Sequence, residues 1–70
     1  MPRAPQLNMF RLIEELSARP DEWAEVCRYP LARIKSARSR GSETCARYPV
    51  LDYEVYRDGA EAVLRFRIAA

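Results

Sequence analysis

The chain has no histidine, and only two glycines and two cysteines among its 70 residues. Without imidazole it lacks the usual general base, the commonest zinc ligand and every Ser-His or Cys-His nucleophile pair. Gly41 and Gly59 stand far apart, so no glycine-rich phosphate loop can form. Cys27 and Cys45 have no second cysteine pair to complete a structural zinc site. No run approaches the roughly 20 apolar residues of a membrane span. Residues 1–8 lack the apolar stretch of a signal peptide. The acidic pairs Glu14-Glu15 and Asp21-Glu22 read as solvated surface, because neighbours on a helix point to different sides. Together these absences predict a cytoplasmic protein that is not an enzyme, with no cofactor, no metal and no membrane partner. In that compartment both cysteines are expected as free thiols, although a bridge between them is sterically allowed.

The residues that are present describe a small globular domain. The composition is 49% hydrophobic and 31% charged, which is that of a folded chain and not a disordered one. A chain this short supports one modest core, and a homodimer would be a ready way to bury more. Pro2 and Pro5 predict a loose tail over residues 1–6, leaving 7–70 as the domain. From Leu7, apolar residues at Met9, Leu12, Ile13 and Leu16 draw one helical stripe. Asn8 can cap that helix and Pro20 stops it. Trp23 to Tyr29 lies between two prolines and reads as a strand, although Trp23, Val26 and Cys27 also suit a helical turn.

A second helix is expected from Pro30 or Leu31 to Gly41, with Ile34, Ala37 and Gly41 on its buried line. The last third reads as a β-hairpin turning at Asp58-Gly59. That turn would set Leu51 opposite Phe66, Tyr53 opposite Leu64 and Val55 opposite Ala62 on a buried face. Asp52 would then face Arg65 outside, with Arg65 a structural partner and not a phosphate ligand. The fold class is α+β: helix-strand-helix-β-hairpin (αβαββ), both helices on one face of a three-stranded antiparallel sheet with the last strand central. The alternative is an abbreviated winged helix, which needs another helix between Gly41 and Pro49.

Charge is unevenly placed. Residues 1–27 hold three cations and five anions, residues 28–50 six cations and one anion, and residues 51–70 three cations and four anions. The blocks carry −2, +5 and −1, summing to the net +2. Only Lys35 departs from arginine among the cations. Arginine grips phosphate and carboxylate bidentately, though a GC-rich coding sequence would also favour it. The candidate nucleic-acid contacts are Arg33, Lys35, Arg38, Arg40 and Arg47. On the expected helix Arg33 and Arg40 flank the buried stripe on one side and Arg38 on the other, while Lys35 points away. This layout weakens a recognition-helix reading but is compatible with phosphates on two sides.

The order of motifs resembles a group of short proteins from actinobacteria and their phages. It runs from Pro20 and Trp23 to Pro30, then Arg40-Gly41, Pro49, Tyr53-Glu54, Gly59 and Arg65. The likeness spans roughly residues 14–68. It departs at Ser39, where a bulkier or basic residue is usual, and at Leu51, where a glycine is usual. The resemblance implies the same small fold and a phage or mobile-element setting. It implies no catalytic role for any residue.

Binding is the function class left. The first expectation is a non-enzymatic accessory protein that binds nucleic acid through its basic central helix. The alternative is a protein-interaction module with an acidic protein partner in a host or phage complex. A sheet-face RNA reader is rejected, because Tyr56 stands among Asp52, Glu54 and Glu61.

Overall fold

A computed structural model describes residues 8–69. The expected loose tail, residues 1–6, lies outside them. The elements run α1 (Met9–Ser17), β1 (Ala24–Pro30), a 3₁₀ turn η1 (Leu31–Arg33), α2 (Ile34–Arg47), β2 (Leu51–Asp58) and β3 (Glu61–Ile68). The strands form one antiparallel sheet in the order β1-β3-β2. This is the α+β architecture expected, with β3 central and both helices on one face.

Helix α1 begins where Asn8 accepts the Arg11 backbone N–H at 3.2 Å, which satisfies one of the helix's orphan donors. It ends three residues before Pro20, and the Ser17 hydroxyl closes back onto the Ile13 carbonyl at 2.7 Å. Its stripe sends Leu12 and Leu16 into a cluster with Leu51, Leu64 and Phe66. Met9, Ile13, Cys27, Cys45 and Tyr48 pack around that cluster. Full burial of Leu16, Leu64 and Phe66 is worth about 1.5–3 kcal/mol for each side chain.

β1 carries a bulge between Glu25 and Cys27. The extra residue lets Val26 and Cys27, adjacent in sequence, both pack against the core. That local break in alternation is why the segment also matches helical spacing.

Three expectations are corrected. First, the second helix does not end at Gly41. It runs on to Arg47, and Gly41 lies buried inside it. A Cβ on Gly41 would sit 2.7 Å from Cγ of Tyr53, so this glycine serves close approach of helix and sheet, not termination. The same continuity makes Ile34–Arg47 one helix behind the η1 turn. The additional helix that a winged helix needs is therefore missing between Gly41 and Pro49.

Second, the hairpin turns at Gly59-Ala60, not at Asp58-Gly59. Asp58 pairs with Glu61, and the whole register moves by two residues. Gly59 has φ +62 and Ala60 is not in the positive-φ region, the type II′ pattern with glycine at the first central position. A two-residue shift keeps every side chain on its expected face, but it changes partners. Tyr53 meets Phe66, Val55 meets Leu64, Glu54 meets Arg65 and Asp52 meets Arg67. Third, Tyr53 is 38% exposed, because it stands at the sheet edge with its ring laid over Gly41. Leu64 and Phe66 are buried as expected.

Candidate nucleic-acid interface

Helix α2 lies across the sheet with Ala37 fully buried and Gly41 buried beside it. At about 100° per residue, Ile34, Ala37, Gly41, Thr44, Cys45 and Tyr48 fall on the side facing the strands. Every other α2 residue is exposed. Among those are Lys35, Arg38, Arg40 and Arg47, and Arg33 is exposed at the close of η1.

The helix arranges these cations in two flanks. Arg33, Arg40 and Arg47 recur every seven residues, a spacing that drifts by only about 20° per step on a helix. They form a row on the β1 side, where Arg40 meets Tyr29 and Cys27. Those contacts, the Tyr29 hydroxyl first, raise the pKa of Arg40. Arg40 and Arg47 stand about 10 Å apart along α2 at 1.5 Å per residue, and Arg33 closes η1 just before it. Arg38 projects from the opposite, β2 side, with Lys35 between it and the crest of the helix. The crest itself carries Ser36, Ser39, Glu43 and Ala46.

From Leu31 to Arg47 there are five cations and one anion, a net +4. None of the five makes an ion pair with another described residue. Structure brings all five sequence candidates onto one layer. It removes Arg28 from the basic block of residues 28–50 and places it on the far side of the sheet.

That far side is covered by side chains instead of helices. Arg28 is held by Glu25 at 2.6 Å, Asp58 at 2.8 Å and Glu61 at 3.2 Å. These bonds, to Glu25 and then Asp58, raise its pKa. The Arg65 guanidinium stacks on Trp23 at 4.8 Å and Tyr56 at 4.6 Å. Its Nη2 donates to Glu54 at 3.1 Å, while its Nε is buried without a partner. Arg67 stacks on Trp23 at 4.5 Å. Val63, at the centre of this face, is wholly shielded. The Trp23 and Tyr56 stacks escape sequence reasoning, because the shifted register sets their geometry. Arg65 is a structural partner as expected, but its carboxylate is Glu54 and not Asp52.

Both cysteines are free and half-buried. Cys45 lies on α2. Burial, then Asp52, pushes its thiol pKa up. Among the described residues no three His, Cys, Asp or Glu side chains are grouped to hold a metal ion. No described helix is long and apolar enough to cross a membrane.

No family model, characterised protein or solved structure matches this chain. The candidate site therefore stands on its own geometry.

Proposed function

We propose that the protein binds nucleic acid through η1 and α2, with Arg33, Lys35, Arg38, Arg40 and Arg47 contacting phosphates. One observation carries this reading. The five cations of the helix layer are exposed and lack carboxylate partners among the described residues, whereas Arg28 and Arg65 of the other face are each tied to acids. Guanidinium groups without a carboxylate partner keep donors for phosphate oxygens, which they grip bidentately, even where one of them, Arg40, also meets the Tyr29 hydroxyl. The open sheet face does not compete for the role. Its rings, Trp23 and Tyr56, are already occupied by Arg65 and Arg67, so bases have no free stacking platform there.

A salt series on random-sequence duplex DNA tests the reading. Three to five phosphate contacts imply a log–log slope of about −2.7 to −4.5. Affinity then falls about 40- to 500-fold between 50 and 200 mM salt. Absence of duplex binding at low salt would sink the proposal. In that case an acidic protein partner, lost from pull-downs by Lys35→Glu with Arg38→Glu, becomes the better account.

A further inference from the structure

Glu43 is the single acid between Leu31 and Arg47. It is exposed at the crest of α2, about 140° around the helix from the buried line of Ala37 and Gly41. Arg40 and Arg47 stand at i−3 and i+4, and an acid four residues before a cation is the favoured order for a helix pair. Yet Glu43 makes no ion pair and no side-chain hydrogen bond among the described residues. An unpaired carboxylate on a phosphate-binding layer works against that binding unless it faces something other than phosphate.

The two cation flanks decide what it faces. With Arg33, Arg40 and Arg47 on one wall of a groove and Arg38 on the other, the crest points at the groove floor. Its remaining residues, Ser36, Ser39 and Ala46, are small, so the backbone can approach closely. The major groove of B-DNA is about 12 Å wide and admits a helix, whereas that of A-form RNA is too narrow. A carboxylate needs a donor on that floor, and only cytosine N4 and adenine N6 supply one. The adenine donor sits beside the N7 acceptor, which repels a carboxylate. Guanine and thymine offer acceptors alone.

We infer that Glu43 reads a cytosine N4 amino group in the major groove of duplex DNA, making this a base-selective binder. The inference rests on the phosphate-binding reading of α2 proposed above. Selection from a random duplex pool, run with the wild type, Glu43→Ala and Glu43→Gln, tests it. The wild type should enrich one cytosine position, preferred by about five- to tenfold over other bases. Glu43→Ala should lose that preference while keeping the wild-type salt slope, since no phosphate contact is removed. Glu43→Gln should shift the position towards adenine, the base a side-chain amide pairs with. Thermal melts of both variants should match the wild type, because Glu43 has no partner to lose.

A wild type that binds duplex with the expected slope but enriches no cytosine overturns this inference alone. So does a cytosine preference that survives in Glu43→Ala. A wild type that binds no duplex overturns both this inference and the proposed function.

Discussion

The two faces of this small domain spend the same residue differently. On the open side of the sheet, arginine is used as cladding. Arg65 lies against two rings and a carboxylate, Arg67 against one ring, and Arg28 gathers three acids. Val63, set between Arg28 and Tyr56 in the register, is wholly shielded, so this face is closed without a second helical layer. On the helix side, five cations ride on α2 and η1, and none of them makes an ion pair among the described residues. Counting arginines along the chain cannot separate these uses. What separates them is whether a carboxylate or ring stands across the strand register or along the helix.

The largest effect expected from this contrast is on ligand affinity. Arg33→Gln, Arg40→Gln and Arg47→Gln together should flatten the salt slope on duplex DNA by about 2.7, with little change in melting temperature. Arg28→Gln with Arg67→Gln removes two cations from the other face and should leave the slope unchanged. Equal flattening by both sets would erase the distinction between the faces.

Next comes stability, where the ranking reverses. Arg65→Ala removes two ring stacks and an ion pair. It should destabilise the fold by about 2–3 kcal/mol in urea titration. Arg65→Lys should lose much of the same stabilisation, because an ammonium does not stack as a plane. A loss below half a kcal/mol in Arg65→Ala would mean the stacks are ornamental.

A subtler test concerns the seat of the basic helix. Gly41→Ala removes a poor helix former, a change worth about 1 kcal/mol in favour of an exposed helix. Here the new methyl meets the Tyr53 ring, so the variant should be less stable than the wild type. In a Tyr53→Ala background the same change should become stabilising. A double-mutant cycle by thermal melting reads the sign reversal, and additive effects would show that α2 does not rest on Tyr53.

The smallest effects belong to exposed or half-buried groups. Arg28→Gln alone should lower the melting temperature only slightly, and less at high salt, since its ion pairs are exposed and solvent-screened. The Cys45 thiol has its pKa raised by burial and Asp52. It should react with a disulfide reagent more slowly at pH 8 than a thiol in the unfolded chain. The sign for stability follows. A raised thiol pKa stabilises the protonated form, so its contribution is complete below the unfolded thiol's pKa. It is lost as pH rises through the folded value. Cys27→Ser isolates this thiol for the rate measurement.

Much of the scaffold was legible in the chain. Asn8, the 9-12-13-16 stripe and Pro20 each state a local rule, and α1 obeys all three. Two alternating runs around a glycine state a hairpin, and its faces were readable because alternation has period two. The exact partners were not readable, since Asp58-Gly59 and Gly59-Ala60 both make two-residue turns and shift register by two without moving any residue off its face. The candidate cations were all named from their cluster. The two flanks were readable from Arg33, Arg40 and Arg38, but Arg47 was left off the helix, because Gly41 looks like a helix end. The signal that could have corrected it is the continuation of the stripe through Thr44, Cys45 and Tyr48, with no breaker before Pro49.

The sequence by itself determined the elements, the buried side of each and the absence of histidine chemistry, because helix and strand periods act over neighbours a few residues apart. Only the tertiary structure decided the fate of Gly41 and of the arginines. A glycine within a helix is a stop signal or a contact point according to what lies over it, and here that is a ring from β2, twelve positions later in the chain. An arginine is cladding or a free cation according to whether an acid meets it across a strand pair. Arg28 finds Asp58 and Glu61 thirty or more residues away, and no local rule reaches that far.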